Sequence, residues 1–342
     1  MRETIKKYRY NIRFNILLFL AFITCLVLIY STYAWFSSTL DVKISEFKAV
    51  VDPETGLYIS LDGIKWGSTV EISENNIITQ LKETYPGHTN QWSNGLTSVS
   101  TIGLNNNTNN KFAMYGNKYP FMANILKFNR TEIDIIKLDE SKANNDADFI
   151  AFDIFIKNLT TSPYSDNLYL VNGTRVINSS EDSDDTAANA FRLGLLFMGS
   201  VHKTASIEQI QNISCAPTCN QYIYEPNSKM HTEQSITTLE KHNYKIVEGQ
   251  EYTTYGVYNS GTGIAMWSGV ENSAVPFNSA IFKKQETNTN LNNPVGQIPS
   301  GITKVRVYIW VEGQDIDIIE HKPNVYKVSV TMNFEKDMAG YE

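Results

Sequence analysis

From residue 41 onward, apolar residues recur at every second position in short runs separated by turn-forming residues, the period of half-buried β-strands. In 325–334, Tyr326, Val328, Val330, Met332 and Phe334 share one face while Lys327, Ser329, Thr331 and Asn333 share the other. A helix would scramble both faces. Val305, Val307, Ile309 and Val311 alternate with Arg306, Tyr308 and Trp310, and Ile150, Phe152, Ile154 and Ile156 form a third stripe. Phe191, Leu193, Leu195 and Phe197 form a fourth. Asp62-Gly63, between Leu57–Leu61 and Ile64–Trp66, predicts a two-residue type I′ hairpin turn, because both residues tolerate positive φ. The polar stretches 103–111, 178–189 and 284–297 predict loops, and 232–242 is the one segment that reads as a helix longer than two turns. No fixed-period repeat interrupts this pattern. The expectation is an all-β body, an antiparallel β-sandwich spanning 37–342 with long polar loops at about 200–300.

The N-terminus follows a different pattern. Residues 16–30 are an almost unbroken apolar run, preceded by Arg2, Lys6, Lys7, Arg9 and Arg13 against a single Glu3. That is the layout of an export signal, and the flanking positive charge keeps the N-terminus in the cytoplasm. Thr32 and Ala34 stand where signal peptidase accepts small side chains, making Ala34 the candidate cleavage position. If the run continues through Phe36, its helix reaches about 30 Å, long enough for a retained anchor with Trp35 and Phe36 at the outer interface. Both outcomes stay open. Residues 1–36 are therefore expected to be a cytoplasmic basic stretch followed by one hydrophobic signal or anchor helix that meets the membrane, ahead of a body on its extracellular face or secreted.

Composition sharpens the picture. At 42% hydrophobic and 12% aromatic, the chain is too apolar to be disordered, while only 19% is charged. Net charge is −7, and because the N-terminal segment is basic the body is more acidic still. An acidic body is repelled by phosphate backbones, so nucleic acid is not an expected partner. Cys25 lies inside the apolar run, and the remaining pair, Cys215 and Cys219, forms Cys-Ala-Pro-Thr-Cys. In an oxidising exterior this spacing predicts a small disulfide loop, since no Cys/His pair nearby completes a zinc site.

Motifs that carry chemistry do not occur. There is no His-Glu-x-x-His, no Gly-x-Ser-x-Gly elbow and no Gly-rich phosphate loop. His88, His202, His231, His242 and His321 are scattered and read as surface histidines. Glu181-Asp182-Ser183-Asp184-Asp185 offers hard oxygen ligands, so Asp182, Asp184 and Asp185 are calcium candidates, though without EF-hand spacing, and a merely solvated acidic loop is the simpler reading. No other cofactor is expected. Trp92, Tyr255 and Trp267 lie in polar stretches where stacking against sugars is a possible use.

Two stretches carry a family likeness, Ser31-Thr32-Tyr33-Ala34-Trp35-Phe36-Ser37 and Tyr308-Ile309-Trp310-Val311-Glu312-Gly313-Gln314-Asp315. They resemble Firmicutes surface proteins with SipW-type signal peptides, the group that includes TasA-like and camelysin-like biofilm proteins. Tyr224-Glu225-Pro226-Asn227 with His231 and Thr232, and the run 149–157, add to the likeness. The resemblance implies a jelly-roll-like body and a structural, adhesive or fibre-forming role in the extracellular matrix. It also implies self-association in which an extended N-terminal strand completes a neighbour's sheet. Here that segment would be 37–51, with Leu40, Val42 and Ile44 on one face, although Glu46 and Lys48 interrupt the stripe and favour pairing within the chain's own sheet. Glu312, Asp315, Glu225 and His231 read as turn and loop ties, and Trp310 as a packing residue. Two other classes remain beside the structural, non-enzymatic reading: a surface module that binds glycans or peptides, and a hydrolase assembled from distant carboxylates.

Overall fold

The computed structural model describes residues 14–23 (16 and 18 aside), 42–104 (87, 89, 94 and 97 aside), 110–117, 135–137, 148–170, 175–178, 190–215, 219–224, 294–312 and 326–337. Within residues 14–23 the described positions are helical and exposed. Among the described residues no helix is long and apolar enough to cross a membrane. The body is mostly β-strand in two sheets with few helical turns.

The first sheet joins β1 (Val42–Val51), β3 (Thr69–Ile72), β8 (Asp166–Leu170), β9 (Arg175–Asn178), β12 (Gly296–Ile298) and β14 (Tyr326–Lys336). The second joins β2 (Leu57–Ser60), β4 (Ser98–Leu104), β5 (Phe112–Asn117), β6 (Ile135–Lys137), β7 (Ile150–Asn158), β10 (Phe191–Val201), β11 (Asn220–Tyr224) and β13 (Gly301–Glu312). Most pairs are antiparallel, but β1 runs parallel to β14, and β13 runs parallel to β4 at Val311 and Glu312. The sheets are therefore mixed, which alternation alone could not distinguish from the antiparallel arrangement expected.

The four apolar stripes of the sequence become β14, β13, β7 and β10. Val330, Met332 and Phe334 of β14, with the in-phase residues of β13, β7 and β10, Phe47, Ala49 and Val51 of β1 and Leu168 and Leu170 of β8, form one core shared by both sheets. Phe47 of the first sheet meets Phe152 of the second edge to face, ring centroids 5.4 Å apart. Each such side chain contributes about 1.5–3 kcal/mol on leaving water. Every residue of β13 is buried, so its second face is also covered. Trp310 and Tyr308 of that face pack with Phe112, Phe149 and Leu196 in a smaller cluster.

Of the segment 37–51, Val42–Val51 form β1, paired within its own sheet to β14 on one side and β3 on the other, and the remainder lies outside the described residues. A register shift between Ile44 and Glu46 resets the alternation, so that Phe47, Ala49 and Val51 face the core and Lys48 is half-buried. The Asp62-Gly63 turn is wider than expected. Only Gly63 has positive φ, at +74°, and the chain closes at a bridge between Ile59 and Gly67 rather than across a two-residue loop. Ser60 and Asp62 hold this turn, the Asp62 carboxylate accepting from the Ile64 and Lys65 N–H groups at 2.8 and 2.9 Å. These side-chain bonds stabilise an open turn that competes with the tight one.

Candidate functional site

On β7, Asp153 is out of phase with Phe152 and Ile154; on β13, Lys304 and Arg306 are out of phase with Val305 and Val307. Strand alternation therefore projects all three from the sheet face opposite the shared core. Arg306 and Asp153 are directly opposed across the β7–β13 ladder. The described residues of 81–91 and the short helix Ile207–Gln211 cover this face. Ser206 opens that helix with a capping box, its Oγ accepting from Gln209 N–H at 3.2 Å while Gln209 Oε1 accepts from Ser206 N–H at 2.9 Å. At its end, Gln211 Nε2 donates to the carbonyls of Asp62 and Thr84, both at 2.8 Å, tying the cover together.

Four donors converge on Asp153. Arg306 Nε stands 2.8 Å from Oδ1, Lys304 Nζ 3.2 Å from Oδ2, and the Tyr85 hydroxyl donates to Oδ2 at 3.0 Å. His88 Nε2 completes the set at Oδ2 and also touches the Arg306 guanidinium. Lys304 Nζ also donates to the Gln211 carbonyl at 2.8 Å. The Tyr85 and His88 rings are tilted against each other, 4.7 Å between centroids.

Burial alone would raise the Asp153 carboxyl, but Arg306, His88 and Lys304 hold it well below the usual carboxylate range. Burial pushes the His88 imidazole down despite its carboxylate neighbour, so the ring is neutral near pH 7 and its Nε2 proton faces Asp153. Its buried Nδ1 has no hydrogen-bond partner among the described residues. Burial, then the facing carboxylate, pushes the Tyr85 phenol up and keeps it a donor. Lys304 is lowered, chiefly by burial. Both carboxylate oxygens are occupied and Asp153 is completely buried, so the group acts as an electrostatic clamp holding the 81–91 cover and the 207–211 helix on the sheet.

A groove of about 940 Å³ opens to solvent beside this cover, lined by Ser200, His202, Thr204, Gln209, Asn212 and Gln297 among others. Its chemistry is that of hydroxyl, imidazole and amide groups.

The structure relocates several residues singled out from sequence. His88 is not on the surface, its side chain being 6% exposed. His202 is exposed and bonds Thr204 through Nδ1 at 2.8 Å. Trp92 is a core residue rather than a loop platform. Trp310 is fully buried and donates from Nε1 to Glu312 Oε2 at 3.1 Å, joining two residues of one strand face. Cys215 and Cys219 are joined through their sulfurs, with Cα atoms 5.2 Å apart. Ala34, Asp182, Asp184, Asp185, Glu225, His231, His242, Tyr255, Trp267, Asp315, His321 and the 232–242 helix lie outside the described residues. Among the described residues no group of three or more His, Cys, Asp or Glu side chains converges as a metal site.

Architecture and clamp together define, among the described residues, a mostly β-strand body of two sheets in which β13 and most of β7 are covered on both faces. Comparison with family models, with curated proteins and with solved structures gives no match.

Proposed function

We propose that this chain is an exported protein of the cell surface or extracellular matrix, structural or adhesive and not catalytic, with a jelly-roll-like β-sandwich as its working body. The observation that carries the reading is the order of segments: a basic stretch, the apolar run 16–30, then a β-body more acidic than the whole chain. The likeness to surface proteins with SipW-type signals supports it. The clamp is consistent with a load-resisting body, because its polar groups are spent on one another. On this reading the N-terminal segment reaches the membrane and is either cut after Ala34 or kept as an anchor. Surface-protease shaving of intact cells followed by fractionation is expected to digest the body from outside. Recovery of the intact body in the cytosol would overturn the proposal.

A second reading, a surface module for glycans or neutral peptides, is favoured by the open groove with its hydroxyl and amide lining. A glycan array probed with the purified body distinguishes it: saturable binding lost on N212A supports a binding module, and an unresponsive array removes the glycan form of that reading.

A further inference from the structure

Apolar stripes on three strands end, in phase, on polar side chains at one end of the inter-sheet core. On β7 the series Phe152, Ile154, Ile156 continues to Asn158. On β8, Leu170 and Leu168 continue to Asp166, and on β14, Met332 and Phe334 continue to Lys336. The two-residue period turns all three toward the core. Asn158 is completely buried, and Asp166 and Lys336 are each 7% exposed.

They meet there. Lys336 Nζ lies 2.9 Å from Asn158 Oδ1 and 3.1 Å from Asp166 Oδ2. Asn158 Nδ2 donates to Asp166 Oδ2 at 2.9 Å and to the Ile298 carbonyl at 3.3 Å, while the Thr160 N–H donates to Asn158 Oδ1 at 3.2 Å. The Ile298 carbonyl only accepts and the Thr160 N–H only donates, so the amide has one orientation: oxygen toward the lysine, nitrogen toward the carboxylate.

A buried lysine–aspartate pair is weak evidence for stability, since apolar residues of similar volume often hold such a site equally well. What this arrangement offers is chemistry. An amine rests against a carboxamide whose oxygen already receives an N–H bond, and one carboxylate oxygen touches both the amine and the amide nitrogen. The amide carbon lies one C=O bond, ~1.2 Å, beyond the contacted oxygen, so a small swing of the lysine stem brings the amine to attack distance.

We propose that Lys336 and Asn158 condense into an intramolecular isopeptide bond, with Asp166 as the proton carrier. Asp166 takes a proton from the Lys336 ammonium, and the freed lone pair attacks Asn158 Cγ, forming the C–N bond and moving the carbonyl electrons onto Oδ1. The Thr160 N–H donates to that developing oxyanion. Asp166 passes its proton to Nδ2 and takes one from Nζ. The Cγ–Nδ2 bond then breaks as the carbonyl re-forms, and ammonia departs with the last proton from Asp166 as ammonium, leaving the carboxylate as it began. No oxidant or cofactor enters. The product links β7 of the larger sheet to β14 of the smaller one, residues 178 apart in sequence. Unlike the Cys215–Cys219 bond it resists reducing agents. The inference is independent of whether the protein is exported.

Intact-mass measurement of the purified full chain, reduced and alkylated, tests it. The expected mass is about 17 Da below that of the uncondensed chain, one ammonia lost, and peptide mapping should find the Asn158 and Lys336 peptides as one branched species. K336R, which keeps the cation, and D166N, which keeps the shape, are expected to restore full mass. A wild-type chain of full mass, or an ammonia loss that maps to Asn172-Gly173 without a branched peptide, overturns the proposal. The wild-type branched peptide is decisive even if a variant fails to fold, and a branched peptide that persists in D166N overturns the role of Asp166.

Discussion

β7 carries two buried polar residues five positions apart, Asp153 and Asn158, and each sits in a lysine–aspartate pair, Asp153 as the carboxylate of one and Asn158 as the amide wedged against the other. The odd spacing puts them on opposite faces of one strand. At Asp153 the carboxylate is the hub: guanidinium, ammonium, imidazole and phenol surround it, and Lys304 turns its remaining capacity to the backbone carbonyl of Gln211. At Asn158 the amide is the hub, and the lysine faces a side-chain carbonyl whose nitrogen can leave. The same ion pair is thus inert beside a backbone carbonyl and poised for condensation beside an asparagine amide. Which acceptor lies next to the amine separates a clamp from a covalent staple.

Removing the staple should have the largest effect. By the loop-closure relation, a cross-link spanning 178 residues stabilises by about 5 kcal/mol, and N158A is expected to lower the melting temperature by roughly 10–20 °C, read by scanning calorimetry. A shift no larger than that of an ordinary buried polar substitution would show the staple contributes nothing.

Disabling the clamp comes next. D153N leaves Arg306 and Lys304 buried without their counter-charge, and is expected to cost about 3–5 kcal/mol in urea unfolding. It should leave the ammonia loss untouched, because the two hubs lie on opposite faces. Loss of the branched peptide in a folded D153N protein would show that the two hubs are coupled.

The smallest effect is the pH response of the clamp. His88 has its pKa lowered by burial, so the unfolded chain binds a proton that the folded chain refuses. Its contribution is full above the unfolded value of about 6.5 and declines as pH falls below it. Asp153, whose pKa is depressed by Arg306, His88 and Lys304 against the effect of burial, contributes fully above about 4 and loses that contribution as pH falls through its folded value. Melting temperature followed from pH 7.5 to 5 should therefore drop, and H88Q should flatten the slope. An unchanged slope in H88Q would place the titration elsewhere.

Much of the body was legible in the alternation, because a strand with one buried face writes its period into the sequence. β7, β10, β13 and β14 each appear at their stripes. The two hubs were not. Arg306 was visible as an off-phase residue, but nothing local says that 81–91, more than two hundred positions away, covers it, and so His88 read as a surface histidine and Trp92 as a loop aromatic. Asn158 and Lys336 carried a signal that stopping each stripe at its last apolar residue discards: the next in-phase position on β7 and on β14 is polar yet still within the strand. The shift at Ile44 and Glu46 was hidden for a related reason, since a bulge exchanges faces without changing composition.

A covalent staple between the sheets would make the body resist load, and pulling single molecules between residue 42 and the C-terminus reads it. With Asn158 and Lys336 joined, the chain between them, a separation of 178 positions, cannot extend. The wild-type chain should therefore show an unfolding contour length roughly 600 Å shorter than N158A, at about 3.5 Å per extended residue. Equal contour lengths for the two chains would contradict it.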